Sequence, residues 1–209
     1  TAAGVGALDG AQHCQSLEAW FMHIPGLKVV YPSTAHDAKG LLKAAIRDDN
    51  PVVIFEHAAL YNDEGDVPDG GSLAVPLEGA AIHRQGSDVS LVTYGGSLRK
   101  ALAASDELAK DGISCEVIDL RSLRPLDGKT ILASVEKTHR AVIIDEAWRT
   151  GSLAAEISAR IMEGAFFALD APVERVCSAE VPIPYPRHLE TAATPQVPNM
   201  VAAVRRAMR

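Results

Sequence analysis

The sequence predicts an α/β protein built from two successive units. Short apolar strands alternate with helix-period segments along most of the 209 residues, and a polar stretch at residues 62–72 interrupts that alternation. Loops carrying glycine or charged residues follow several strands, where parallel α/β sheets place their functional edge.

Residues 16–24 read as the first helix. Leu17, Trp20, Phe21 and Ile24 recur at helical spacing, Ser16 is placed to cap the amino end, and Pro25-Gly26 stops the helix. Residues 27–31 then read as a strand closed by Pro32. Thr34 caps a second helix in which Ala38, Leu41, Leu42, Ala45 and Ile46 share one face, and Thr34-x-x-Asp37 resembles a capping box with an acid in the fourth place. The helix stops at Asp48-Asp49-Asn50-Pro51, and Val52-Val53-Ile54-Phe55 is an apolar run of the kind buried on both faces. Helix, strand, helix, strand at this spacing implies a parallel sheet.

Residues 62–72 hold Gly, Pro, Asp and Glu and almost nothing apolar, so the domain boundary is placed there. The alternation then resumes, with strands expected at 89–93, 113–120, 141–144 and 173–177. Helices are expected at 98–109, about 130–136, 153–162 and 197–208. Neither repeats nor low-complexity tracts occur.

Composition narrows the function classes. Apolar residues make up 47% of the chain, enough for a substantial core, and the net charge of −7 comes with no basic stripe, which argues against a nucleic-acid surface. No apolar run approaches the ~20 residues of a membrane span. Cys14, Cys115 and Cys177 lie far apart with no Cys-x-x-Cys or Cys/His ligand spacing, so a reducing compartment is expected. Thr1 is not an initiator methionine, and no signal-peptide pattern opens the chain, though a targeting segment upstream of Thr1 is compatible with it.

Five places could carry chemistry. His13, in the loop Gly10-Ala11-Gln12-His13-Cys14-Gln15, is the sharpest, because an imidazole exchanges protons near neutral pH and Gln12 and Gln15 flank it. Against that stands the ordinary solvated loop histidine. Tyr94-Gly95-Gly96-Ser97 joins a strand to a helix, and a tight turn is the favoured reading over an anion site. The segment from Asp119 to Asp127 holds Arg121 and Arg124, read as a structural ion-pair network ahead of an anion clamp. Asp145-Glu146-Ala147-Trp148 reads as a loop at a strand end, with Glu146 solvated or capping a helix and Trp148 anchoring packing. Unpaired carbonyls and side-chain oxygens around Asp48-Asp49-Asn50 could hold a hard cation, with a plain helix stop as the alternative. The other histidines, His57 and His83 among them, show no ligand spacing and read as surface or packing residues.

Taken in order, these segments resemble a family. The first set comprises Ala11-Gln12-His13-Cys14-Gln15, His23-Ile24-Pro25-Gly26-Leu27-Lys28-Val29-Val30, Pro32-Ser33-Thr34 and Ala45-Ile46-Arg47-Asp48-Asp49-Asn50-Pro51-Val52-Val53. The second comprises Glu116-Val117-Ile118-Asp119-Leu120-Arg121, Leu123-Arg124-Pro125-Leu126-Asp127 and Val181-Pro182-Ile183-Pro184-Tyr185. Together they look like the beta subunit of the thiamine-diphosphate-dependent decarboxylating component of 2-oxo acid dehydrogenase complexes, in its pyruvate branch, with acetoin dehydrogenase close by.

The resemblance implies a partial pyrimidine-binding, transketolase-like domain over residues 1–72, linker included. A complete transketolase carboxyl-terminal-type domain follows over 73–209. It implies thiamine diphosphate shared with an alpha subunit that also holds magnesium, acyl transfer to the lipoyl arm of a dihydrolipoyl acyltransferase core, and a heterotetramer with a second beta subunit. Bacterial members would be cytoplasmic and eukaryotic ones located in the mitochondrial matrix; no nucleic-acid or membrane partner is expected. Carried over by position, His13 matches the active-site histidine, and backbone oxygens of Ala45, Ile46, Asp48 and Asn50 match a potassium site. Cys14 stands where serine is commoner. The family's catalytic glutamate belongs to a more amino-terminal segment, so this chain alone is expected to be inactive. Two other readings stay open: a non-catalytic subunit-pairing and core-docking module, and a fragment of a transketolase or deoxyxylulose phosphate synthase.

Overall fold

A computed structural model describes residues 1–69 and 73–209; the last three positions of the 62–72 linker, 70–72, lie outside the described residues. Three sheets organise the described residues. Strands β1 (Ala2–Ala3), β2 (Lys28–Val30), β3 (Val52–Ile54) and β4 (Glu56–His57) come from the amino-terminal part, with helices α1 (Glu18–Met22) and α2 (Ala35–Ile46). β5 (Ala81–Arg84), β6 (Val89–Thr93), β7 (Cys115–Asp119), β8 (Ser122–Arg124), β9 (Ala141–Trp148) and β10 (Glu174–Ser178) follow. They alternate with α3 (Ser97–Ala109), α4 (Gly128–Thr138), α5 (Leu153–Ala165), α6 (Arg187–Ala193) and α7 (Val197–Ala207).

The larger sheet has the order β10-β9-β6-β7-β5, parallel except for the antiparallel edge β5. Alternate residues of its strands feed opposite faces, as a pleat requires. Val92, Ile118 and Ile143 pack with Ile131 and Val135 of α4 and Ile157 and Ile161 of α5. Leu91, Val117 and Val142 pack with Leu98 and Leu108 of α3 and Met200 and Val204 of α7. The first of these cores also takes in Ala3, Val29, Tyr31 and Phe55, so the amino-terminal elements are sealed onto the larger sheet by apolar contact.

β8 does not join the sheet of its neighbours. It pairs antiparallel with β2, Val29 opposite Arg124, and completes the three-stranded sheet β3-β2-β8. β1 and β4 form a separate parallel pair. No helix among the described residues is long and apolar enough to cross a membrane.

Several expectations change. The first helix is only five residues, its amino cap is Leu17 without a side-chain bond, and Glu18 rather than Trp20 is buried on it, because the carboxylate has a partner inside. Trp20 is 70% exposed. Thr34 does cap α2, accepting from the Asp37 N–H at 3.1 Å, yet the buried residues of α2 are Asp37, Gly40 and Leu41. Ala38, Leu42 and Ile46 face outward instead, since Val75 and Leu77 beyond the linker cover the other side. The run at Val52–Ile54 is half-buried, not covered on both faces, because it lies at the edge of a three-stranded sheet. The strand expected at 141–144 runs on to Trp148, which places Asp145 and Glu146 inside a strand. β1, β4, β5, β8 and α6 were not anticipated.

Candidate functional site

The two domains meet over a buried set of charged and aromatic side chains. Glu146 on β9 is its centre: its Oε1 lies 2.8 Å from Nε2 of His57 on β4 and accepts the Val5 N–H at 2.9 Å. Lys100 of α3 brings its Nζ to 3.9 Å from Oε2. Burial pushes the Glu146 carboxyl upward, but the charge and hydrogen bond of His57, the charge of Lys100 and the Val5 N–H outweigh it and hold the group below its ordinary range. Burial pushes Lys100 downward.

His57 fits there because glycine stands on two sides of its ring. A Cβ at Gly4 would lie 2.4 Å from Nε2, and one at Gly96 would lie 2.5 Å from the same atom. Tyr31 covers a third side, stacked at 6.2 Å and 30°. Tyr94-Gly95-Gly96-Ser97 is therefore a tight strand-to-helix turn, the reading favoured from sequence. Its glycines leave room for Tyr31 and His57.

A second acidic group adjoins the first. The Tyr94 hydroxyl stands 2.7 Å from Glu18 Oε1 and 2.7 Å from Asp145 Oδ1. Asp145 also accepts the backbone N–H groups of Ala147 and Ala154, both at 2.9 Å. Burial, then the charge of Asp145, pushes Glu18 up to about 7, against the hydrogen bond from Tyr94. Burial raises Asp145 as well and drives Tyr31 and Tyr94 well above the usual phenol range. With several acids so close, the protons belong to the group and not to any one side chain.

A cavity of about 630 Å³ opens beside this group between α2, β4, the 60–66 loop and β5. Arg121, at φ 55°, reaches across it: NH1 lies 3.3 Å from Asp37 Oδ1, and NH2 donates to the carbonyls of Gly79 and Ala80. Asp119 accepts from Ser33 at 2.9 Å and from the Arg121 N–H at 3.2 Å. Asp127 caps α4 through the Thr130 N–H and accepts from Ala80, and Arg124 NH1 donates to the Met22 carbonyl at 2.5 Å. The Asp119–Asp127 segment thus ties the domains through hydrogen bonds and the Arg121–Asp37 pair, and not through the network of arginine–aspartate pairs expected from sequence, since Arg124 bonds a carbonyl.

His13 lies elsewhere. It is exposed in the turn at residues 11–14, and its side chain has no hydrogen-bond partner among the described residues. The turn itself is anchored. The Cys14 N–H donates to Gly10 O at 3.0 Å, Gln15 Nε2 to Ala11 O at 2.7 Å, and Cys14 is buried against Val5, Ile183 and Trp148. Trp148 donates its indole N–H to Val181 O at 2.7 Å, the anchoring role expected of it.

At the end of α2, Asp48 Oδ2 is held by Lys28 Nζ at 2.5 Å and Oδ1 accepts both N–H groups of Asn50. The Lys28 hydrogen bond brings the carboxyl down to about 2. The Ala45 carbonyl accepts the Asp48 N–H at 3.3 Å. Ala45, Ile46, Asp48 and Asn50 are thus gathered in one turn, with Lys28 supplying a cation to the Asp48 side chain.

Sequence reading missed the His57–Glu146 pair and the Asp119 carboxylate that stands 3.6 Å from His83 Nε2. Glu146, taken for a solvated or capping residue, is buried, because the strand extends beneath it and His57 receives its charge. The available signal was two acids directly after four apolar strand residues, a position at which an unpaired charge is costly.

The comparisons agree with this architecture. The model of the transketolase pyrimidine-binding domain matches residues 1–64, and that of the transketolase carboxyl-terminal domain matches 78–200. The chain is 48% identical over 200 residues to the pyruvate dehydrogenase E1 component subunit beta of Dictyostelium discoideum, covering 94% of this chain and 56% of the relative. It is 46% identical to the corresponding subunit of Rhizobium meliloti, with 97% and 44% covered. Identity is 48% to the beta subunit of the acetoin:2,6-dichlorophenolindophenol oxidoreductase of Cupriavidus necator, with 99% and 61% covered. A split-gene transketolase, solved as an inactive beta4 tetramer, superposes with a TM-score of 0.79 at 25% identity over 99% of this chain and 65% of its own. The chain spans 44% to 61% of the length of these curated relatives.

Proposed function

Since the chain belongs to the transketolase family, with the pyrimidine-binding domain ahead of the carboxyl-terminal one, we propose that it forms the corresponding part of a pyruvate dehydrogenase beta subunit. The observation that carries this reading is identity of 46% to 50% to such subunits over nearly the whole chain. In this reading residues 1–72 belong to the pyrimidine-binding domain with its linker, and 73–209 form the second domain.

The reaction is oxidative decarboxylation of a 2-oxo acid with transfer of the acyl group to a lipoyl arm. Thiamine diphosphate supplies the electron sink. The described residues do not build a cradle for it alone: His13 is exposed and unpartnered, and Glu18, Asp145 and Glu146 turn inward onto Tyr94 and His57. The cofactor is shared with an alpha subunit, which also holds the magnesium.

His13 is the catalytic contribution of this chain, assisting the substrate carboxylate or moving a proton during reductive acylation. Its anchored turn and free imidazole support that role. Trp20, Ile24, Leu42 and Ile46, apolar and exposed, support assembly with the alpha subunit and a second beta subunit as a heterotetramer. The dihydrolipoyl acyltransferase core is the further partner. The turn holding Ala45, Ile46, Asp48 and Asn50 is read as the potassium site. The compartment is the mitochondrial matrix for a eukaryotic source and the cytoplasm for a bacterial one.

The test is reconstitution with an alpha subunit, thiamine diphosphate and magnesium, using a chain extended upstream to the length of its relatives. Turnover of pyruvate is expected, and His13→Ala should lower acyl transfer about a hundredfold or more while leaving assembly intact. Equal loss of assembly and turnover would remove the catalytic role. Acetoin is the second substrate to assay, because the acetoin oxidoreductase subunit is as similar as the pyruvate dehydrogenase ones. Melting in potassium against sodium chloride tests the cation site; an unchanged midpoint would remove it.

A further inference from the structure

Asp37 on α2, His83 on β5 and Asp119 on β7 converge at the inner wall of the cleft cavity. Each offers one ligand atom, and these lie within 4.8 Å of one another. Asp119 is fully buried, and its Oδ2 has no hydrogen-bond partner among the described residues. That oxygen points at His83 Nε2, 3.6 Å away, beyond hydrogen-bond range. A buried carboxylate oxygen facing an imidazole nitrogen across such a gap is costly unless something sits between them.

Hydrogen bonds and charges around the two carboxylates orient the donors. Ser33 donates to Asp119 Oδ1 at 2.9 Å, Thr34 donates to Asp37 Oδ2 at 3.1 Å, and Arg121 and His36 engage Asp37 Oδ1. Such partners around ligating carboxylates are typical of metal sites. The cavity beyond is acidic: Glu56, Asp63, Glu64 and Asp66 line it along with Asp37, against Arg121.

We propose that Asp37, His83 and Asp119 bind one divalent transition-metal ion, Zn²⁺ by donor type, which clamps the two domains and keeps an open position toward the cavity. One imidazole nitrogen and two carboxylate oxygens suit Zn²⁺ better than Ca²⁺ or Mg²⁺, which take oxygen alone. Bonds of about 2.0–2.2 Å set tetrahedral ligand atoms roughly 3.4 Å apart, so closure asks for about an ångström of movement. His83, on an edge strand with a quarter of its side chain exposed, can supply it. Arg121 beside Asp37 offsets part of the negative charge and limits affinity, which makes the site one that fills and empties with metal supply.

The experiment is equilibrium dialysis of the whole chain against Zn²⁺ with elemental analysis, paired with Co²⁺ absorption. One bound equivalent is expected, and the Co²⁺ complex should show visible ligand-field bands without a thiolate charge-transfer band. His83→Gln and Asp37→Asn should each weaken binding tenfold or more, and His23→Gln should not. A thiolate band, undiminished binding by His83→Gln, or no retained metal would each overturn the site. Should a variant misfold, the wild-type Co²⁺ spectrum still decides, because it reports whether the donors are nitrogen and oxygen or sulfur.

Discussion

His57 Nε2 and Glu146 Oε1 stand 2.8 Å apart, 89 positions distant in sequence, and the pair joins the β1–β4 ribbon to strand β9 of the larger sheet. Removing one partner strands the other. His57→Ala is expected to cost about 3 kcal/mol, the low end for a broken buried pair, because Val5 and Lys100 still face the carboxylate. Urea denaturation of His57→Ala, Glu146→Leu and the double variant checks this. The double variant should be more stable than His57→Ala.

Gly96→Ala tests the same relationship from the other side. Its Cβ would press on the His57 ring, so a loss of about 1–3 kcal/mol is expected, typical of overpacking. Combined with His57→Ala, the cost of the methyl should largely vanish. Additive losses in the denaturation midpoints would mean that the clash lies elsewhere.

Glu18 gives stability a defined pH dependence. Its carboxyl is pushed up to about 7 in the folded chain from an ordinary 4.5, so ionisation is disfavoured by folding. The contribution is complete below about 4.5 and is lost as pH rises through about 7. Glu146 works in the opposite sense, being held low, so its contribution is present above the ordinary carboxyl range and fades as pH falls. Stability measured from about pH 5 to pH 8 should therefore decline less in Glu18→Gln than in the wild type. An unchanged slope would assign the titration to Asp145.

The buried hydroxyls of Ser90, Ser134 and Thr138 form a closed set, with Ser90 Oγ 2.5 Å from Ser134 Oγ and 2.7 Å from Thr138 Oγ1. Ser90→Ala leaves both partners short of a bond inside the α4–β6 contact. A loss of about 1–2 kcal/mol is expected in thermal or urea unfolding.

Much of this was legible in the chain. Val89–Thr93, Ser97–Ala109 and Val197–Ala207 fell within a residue or two of their sequence limits, because continuous apolar runs and helical periods dominate their burial. Thr34 and Pro25-Gly26 marked their boundaries through local chemistry. Short elements escaped: β8 has three residues and finds its partner β2 more than ninety positions upstream, a pairing no local pattern encodes. Glu18 defeated periodicity, since a helix face is judged by apolar residues and here an acid is drawn inward by Tyr94. His57 and Glu146 each looked unremarkable, and only tertiary contact makes them a pair. The turn around His13 was the clearest chemical signal in the sequence, and its anchored backbone and free ring sit apart from the buried acidic group.

β8 has a kinetic consequence. The described pair Lys28–Val30 and Val52–Ile54 lacks its neighbour Ser122–Arg124 until the strands and helix of the second domain as far as β7 have been made. Emerging from the ribosome, the amino-terminal domain waits with the free edge of β2 exposed. Such long-range pairing slows folding, and an open edge invites pairing with other chains. Truncations ending between the two domains should accordingly yield an aggregating product, and any attempt to make the first domain alone would have to carry its borrowed strand along.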